Sequence, residues 1–346
     1  MTYLTFESLP ERIEDEDHLE DLLSTPTEAL ARDLAAVEGD IMVLGVGGKV
    51  GPTLARLAKR AAPDKRVVGV ARFSDRAVKE RLEAWGVETI ACDLLDREAL
   101  AQLPAMENVV YMAGKKFGTE RDRPFTWAMN THVPALVAEA FRGSRIVAFS
   151  TLCVYPYAPV VTEGWDERAA PFPAGEYANS CVGRERIFEY FSGRYGTPGR
   201  LMRLNYAIET RYGVIFDVAS WIKERRPVPL AMGQANLIWQ GDASSQMLRS
   251  FRHCTAPPAP LNIGGPHATS IRSLAQMLGE RLGIEPLFEG EEAADAWVND
   301  TSQAQALFGL PLVPLPLMVD WVADWVARGQ PQHGKPTCYE IRSGRF

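Results

Sequence analysis

The chain has 346 residues, of which 46% are hydrophobic and 23% charged, and a formal net charge of −7 at pH 7. These are ordinary globular values, enough for one large α/β unit or two domains with a normal core. They exclude global disorder, collagen-like structure and a disulfide scaffold. The acidic balance without a basic stripe argues against a nucleic-acid partner.

No apolar run reaches the roughly 18 residues of a membrane-spanning helix, so no membrane partner is expected. The first residues are acidic and lack the apolar stretch of a signal peptide. Five widely spaced cysteines, Cys92, Cys153, Cys181, Cys254 and Cys338, without C-x-x-C, fit reduced thiols in a cytoplasmic protein. The five histidines show no zinc-binding spacing, and no metal is expected.

Residues 1–38 are expected to form an acidic helical extension. Between Glu7 and Glu28 stand nine acids and one base, Arg12. Such a charge run predicts solvated or subunit-contacting helices. Thr25-Pro26-Thr27-Glu28 has the pattern of a capping box, opening a helix from about Pro26 to Val37. Strand and helix patterns then alternate through residues 39–204. Ile41–Leu44, Val67–Val70, Glu88–Ala91, Asn108–Met112, Arg145–Ser150 and Arg200–Leu204 read as buried strands. Helical faces lie between them, the longest at Tyr177–Tyr195. This alternation predicts a doubly wound parallel α/β sheet, a Rossmann fold. Residues 205–330 are expected to form most of a smaller C-terminal α/β lobe, interleaved with the first domain. Residues 331–346 carry no periodicity and are expected to be a tail on the surface or on a partner.

The first strand is followed by Gly45-Val46-Gly47-Gly48-Lys49-Val50-Gly51, spaced G-x-x-G-x-x-G. A strand before and a helix after give the context of a dinucleotide-binding turn. Glycines allow close backbone approach, and the helix N-terminus offers unpaired N–H groups to a pyrophosphate. About twenty residues on, an NAD-preferring site would carry an acid for the ribose hydroxyls. Ala71-Arg72 stands there instead, which favours NADP over NAD through Arg72. Arg72 stacked on adenine is the alternative. Asp93, after the third strand, suits the adenine amino group.

These features resemble the extended short-chain dehydrogenase/reductases of the NAD-dependent epimerase/dehydratase family, over about Ile41 to Arg328. Cys92-Asp93-Leu94 is similar to the adenine-side D-L pair, and Ala113-Gly114-Lys115-Lys116 to the A-G-x-K segment of UDP-galactose 4-epimerases. Asn130-Thr131 resembles the N-V of the following helix. Ser150-Thr151-Leu152-Cys153-Val154-Tyr155 resembles S-[ST]-x-x-V-Y, and Asn262-Ile263-Gly264-Gly265 resembles N-x-G-G. Asp242 sits where the family has D-V-A.

The resemblance implies cofactor contacts from Gly45, Gly48, Lys49, Val50, Gly51, Arg72, Asp93, Leu94, Ala113, Gly114, Lys116, Asn130 and Cys181. It implies a hydride-transfer site in which Thr151 bonds the reacting oxygen and Tyr177 is the acid/base of Y-x-x-x-K. It further implies a carbohydrate-like substrate and a homodimer through the helices of Asn130 and Tyr177.

One position departs from the pattern. Tyr177-Ala178-Asn179-Ser180-Cys181 places cysteine where the family has lysine. Positions i and i+4 share a helix face, so Cys181 should face the site as a small packed residue. A neutral thiol neither holds the nicotinamide ribose nor lowers the tyrosine pKa. Lys116 is the leading substitute cation, ahead of Lys115 and Arg184. The other readings are a different acid/base group, a less demanding substrate, or a nucleotide-binding sensor or scaffold without turnover. Arg203 and Tyr206 are candidates for substrate contact or for the core edge, Trp239 is expected to pack, and Arg121 and Arg123 to be solvated.

Overall fold

The computed structural model describes residues 2–345. Seven parallel strands form the main sheet: Ile41–Leu44, Val67–Ala71, Glu88–Ala91, Asn108–Tyr111, Arg145–Thr151, Gly199–Leu204 and Ala259–Ile263. Numbered in chain order, they lie 7-6-5-4-1-2-3 across the sheet, every neighbouring pair parallel. The order reverses between the first and fourth strands. In open α/β sheets that reversal leaves a crevice at the carboxyl ends of the strands.

The first strand shows why its sequence is continuously apolar. Ile41 and Val43 face one helix layer and Met42 and Leu44 the other, all fully buried. A three-stranded sheet, Tyr206–Ile208, Gln234–Trp239 and Ala268–Ser270, forms the second lobe with the helices Val214–Lys223, Ile271–Leu282 and Leu315–Ala327. Trp239 packs there edge-on against Trp321 at 5.1 Å, and Trp325 is also buried. Among the described residues no helix is long and apolar enough to cross a membrane.

The N-terminal extension keeps all but Glu20 of its acids between Glu7 and Glu28 exposed, but its apolar face is buried against the body. Its helices are Glu16–Leu23 and Glu28–Ala35. Leu19, Leu22 and Leu23 join the core of the second lobe, whereas Leu30 and Leu34 pack on the sheet side. The acids serve as matched partners: Glu20 meets Arg81 and Arg211, Asp21 meets Arg56 and Arg60, and Asp33 meets Arg249 and Arg252. Charge counting missed the leucine stripe beneath those acids. The cap also differs from expectation. Thr27, not Thr25, accepts the N–H of Leu30, while the Thr25 hydroxyl donates to Asp21 at the end of the preceding helix.

The tail is likewise not a surface appendage. Thr337 and Tyr339 are buried, Tyr339 completely. Tyr339 packs against Trp221 at 5.9 Å. The Thr337 N–H and hydroxyl both donate to Asp217, at 2.8 and 2.5 Å. Arg342 pairs with Asp295 and donates to the carbonyl of Ala231. The tail therefore runs through the space between the lobes.

Candidate active site

The glycine turn sits at the crevice. Gly45 has φ +89°, and a Cβ there would come within 2.6 Å of the Ala113 nitrogen. Only glycine tolerates both the backbone and the contact. The helix Gly51–Ala61 starts directly after, with Pro52 in its first turn. A Cβ on Gly51 would run into the Val46 carbonyl. This is a strand–turn–helix with open N–H groups at its tip, as a pyrophosphate requires.

Beside it runs a groove of about 820 Å³ of empty space. Gly45, Gly47, Gly48, Arg72, Asp93, Leu94, Ala113 and Gly114 are among its walls. Five expected cofactor-side residues besides the turn glycines are thus brought to one surface by the ends of three strands: Arg72, Asp93, Leu94, Ala113 and Gly114. The fit to a dinucleotide is good: glycines where backbone must approach, an exposed arginine and an exposed carboxylate at the far end.

Asn130 lies in a π-helical turn, Ala128–His132, and is fully buried. Its Oδ1 accepts the Lys115 N–H at 2.8 Å, and its Nδ2 donates to the Lys115 carbonyl at 2.8 Å and to the Ser180 hydroxyl at 2.9 Å. It therefore fixes the 113–116 loop against the helix Gly175–Tyr195. Such π-turns recur at functional sites because they turn a side chain inward.

Thr151 ends the fifth strand, and Tyr177 stands in the first turn of the long helix, two residues after Gly175. The Tyr177 phenol faces the Thr151 hydroxyl and the Cys181 thiol. Thr151 Oγ1 also accepts the Cys153 N–H at 3.2 Å. Burial pushes the Tyr177 phenol well above its ordinary pKa; Cys181 and Cys153 add to this, while Arg184 and the Thr151 bond oppose it. Cys181 is fully buried and its thiol is pushed up to about 11, chiefly by burial. It is a packed thiol, not an activated one.

Arg184, one turn on from Cys181, is a cation that opposes the rise in the Tyr177 pKa. Its guanidinium donates to the Phe149 carbonyl at 2.8 Å and to Asn130 Oδ1 at 2.9 Å. It presses on Gly114 so closely that a Cβ there would lie 2.5 Å from it. Lys116 lies near the same two thiols, Cys153 and Cys181, that act on Tyr177. Its ammonium donates to the Thr337 carbonyl at 3.3 Å, with Cys153, Cys338 and Asp217 nearby. Lys115 pairs with Asp122. Bonds to Asn130 Oδ1 and the Phe149 carbonyl hold the Arg184 guanidinium under the 113–116 loop.

Lys49 is a second surprise. Its ammonium does not line the groove but lies 3.1 Å from the centre of the Tyr212 ring, across the crevice. Burial pushes its pKa down to about 7, with Lys116 and Lys335 adding and Asp217 and Glu209 opposing.

Other motif residues are structural. Arg203 forms a bidentate pair with Glu185 at 3.0 and 2.7 Å and donates to the Tyr155 hydroxyl at 2.6 Å. Tyr155 donates to Asn262, and Asp242 accepts the Val313 N–H at 3.0 Å. Tyr206 faces inward near Cys153 and Tyr339. Arg123 pairs with Glu120 and Glu176 at the surface.

No family model and no curated protein sequence matches this chain. Solved structures do. UDP-glucuronic acid 4-epimerase from Bacillus cereus, solved with UDP-glucuronic acid and NAD, is 17% identical, with a TM-score of 0.69 over 84% of this chain and 99% of that one. UDP-glucose 4-epimerase from Thermotoga maritima, solved with UDP-glucose, is 18% identical with a TM-score of 0.70 over 84% and 99%. The Thermus thermophilus UDP-glucose 4-epimerase, solved with NAD, is 18% identical with a TM-score of 0.69 over the same shares. This chain has the doubly wound α/β fold of these epimerases.

Proposed function

We propose that this chain is a nicotinamide-dependent oxidoreductase or epimerase of the extended short-chain dehydrogenase type. It acts at a secondary alcohol or ketone carbon of a sugar, sugar acid or nucleotide sugar. The observation that carries the reading is the Thr151–Tyr177 hydroxyl pair at the carboxyl ends of the strands, beside a glycine turn and groove suited to a dinucleotide. The neighbours solved with NAD and UDP-sugars support it.

When bound, the nicotinamide supplies or accepts the hydride. The chain's own residues handle the oxygen and its proton. Thr151 holds the oxygen of the reacting carbon and orients the phenol. Tyr177 gives that oxygen a proton on reduction and takes one on oxidation. With its pKa raised, Tyr177 is a phenol at neutral pH, ready as an acid and weak as a base. Ketone reduction is thus the easier direction for this site. Arg184 supplies the positive charge that the missing lysine does not, without reaching the phenol directly.

Arg72, exposed on the groove wall with no acid at its position, supports NADP as the preferred cofactor. A homodimer is inferred through the helices bearing Asn130 and Tyr177, where Trp127 and Tyr190 are exposed. A cytoplasmic location fits the free cysteines.

The test is a fluorescence titration of the purified protein with NADPH and NADH, followed by a turnover screen against polyols, sugar acids and nucleotide sugars. Tight NADPH binding and a change in cofactor absorbance with one class are expected. Binding without turnover would make the chain a sensor or scaffold. Preference for NADH would overturn the role of Arg72.

A further inference from the structure

The tail hooks onto three segments that frame the reacting centre. The Lys116 ammonium, on the loop after the fourth strand, donates to the Thr337 carbonyl at 3.3 Å. Tyr157, just past the turn that follows Thr151, donates its hydroxyl to the Arg342 carbonyl, and the Arg342 guanidinium lies 4.2 Å from the centre of the Tyr157 ring. Gly344 meets Ala174 and Gly175, where the helix of Tyr177 begins. On the facing lobe, Asp217 holds Thr337, Trp221 packs on Tyr339 and Asp295 pairs with Arg342. Between these two sets of anchors the segment crosses the crevice beside the reacting centre. Cys153 lies near Tyr177, Tyr157 and Tyr206, and Tyr206 in turn lies near Tyr339 and Glu340. A ligand entering at the carboxyl ends of the strands meets this segment first.

The grip is made by side chains more than by backbone. Among the described residues, one backbone–backbone hydrogen bond joins residues 333–345 to the rest of the chain, from the His333 N–H to the Arg211 carbonyl at 3.3 Å. Docking also carries costs. Cys338 holds φ +56°, a left-handed backbone that a side chain disfavours. The Tyr339 hydroxyl and Glu340 Oε2 are buried with no hydrogen-bond partner among the described residues. At the base of the segment, Gly329 and Gly334 have φ +68° and +62°, and a Cβ on either would meet open space. Little backbone bonding, local strain and unpacked glycine turns place this segment at the low-stability end of the fold, where hinged covers are found.

We propose that residues 335–345 form a strap across the crevice in front of Thr151 and Tyr177, and that it lifts about Gly329 and Gly334 to admit the substrate. This rests on the functional reading above and adds a gate to that site. The substrate then competes with Thr337, Tyr339 and Arg342 for one space. Its apparent affinity is lowered by the fraction of molecules in which the strap is lifted. Lifting relieves the Cys338 backbone and returns the Tyr339 hydroxyl and the Glu340 carboxylate to water, which offsets the loss of the Asp217 and Asp295 contacts.

The experiment is iodoacetamide labelling of the full chain, read cysteine by cysteine from peptide masses. Cys153 is buried beside the strap, whereas Cys92 is buried beside Asp93 on the wall of the dinucleotide groove. Arg342→Met removes the pair with Asp295 and the bond to the Ala231 carbonyl. It is expected to speed labelling of Cys153 about tenfold and to leave Cys92 within about twofold. Arg342→Lys, which keeps a charge toward Asp295, should fall between this variant and the parent. An unchanged Cys153 rate in both Arg342→Met and Gly344→Ala overturns the strap. Equal acceleration at Cys153 and Cys92 shows the whole fold loosening and overturns a strap that moves by itself. In the turnover screen, Arg342→Met should lower KM about tenfold with kcat kept. An unchanged or higher KM overturns the gate. If neither protein turns over any substrate while Cys153 alone responds, the functional reading falls and the strap stands.

Discussion

Gly175 and Gly344 meet backbone to backbone: a Cβ on Gly175 would run into the Gly344 carbonyl, and one on Gly344 into the Ala174 carbonyl. Both have positive φ, +77° and +69°. The contact ties the tail to the start of the helix that carries Tyr177. Gly344→Ala is therefore expected to cost about 1–3 kcal/mol through backbone strain and overlap. Denaturant unfolding reads the loss, and limited proteolysis should release the tail faster. An unchanged midpoint and cleavage rate would show that the tail does not depend on this contact.

Tyr177→Phe removes the proton donor and leaves the ring. Turnover is expected to fall by about 10²–10⁴-fold, with cofactor affinity kept. Thr151→Val, which removes only the bond that orients the phenol, should cost about 10–100-fold in kcat. If the phenylalanine variant turns over at the parent rate, another group handles the proton.

The raised Tyr177 pKa gives the pH dependence a definite sign. In the reduction direction the active form is the phenol, so the rate should be flat through neutral pH. In the oxidation direction the phenolate is needed, so the rate should climb about tenfold per pH unit and show no plateau near pH 10. A plateau near neutral pH for oxidation would mean that a cation holds the phenolate after all.

Arg184 and Cys181 make opposite predictions. Arg184→Met removes the donor to the Phe149 carbonyl and one of the two donors to Asn130 Oδ1, and should destabilise the fold by about 1–3 kcal/mol. Cys181→Ala should leave turnover within about a fewfold, because the thiol is neutral and packed. Cys181→Lys, which restores the family's residue, should not raise the rate. The space is full and a second cation would face Arg184, so thermal unfolding should occur earlier. A faster Cys181→Lys enzyme would show that the lysine's place had been left open.

Much of the fold was legible because its signals are local. Four apolar residues ending in glycine, Ile41–Leu44, can only be a buried strand, and the turn after them needs its glycines. The places of Thr151 at a strand end and of Tyr177 at a helix start were legible for the same reason. What escaped was long-range and electrostatic. Nothing in the local pattern tells that Arg184 reaches Asn130, fifty-four positions away. Nor does an aperiodic tail announce that Tyr339 will be fully buried. The acidic extension shows its charges to solvent as its pattern says, but the spacing of Leu19, Leu22 and Leu23 is what packs it.

That extension has a kinetic consequence. The Trp321 indole donates to the Pro10 carbonyl at 2.9 Å across 311 positions, and Arg328 reaches the Ile13 and Glu14 carbonyls. Contacts of such sequence separation form late, since the loop between them must close first. The extension thus waits for a helix some three hundred positions further along the chain, with Leu19, Leu22 and Leu23 uncovered meanwhile. During synthesis the sheet can assemble before the crevice is closed from either side, and the half-made chain exposes that apolar surface.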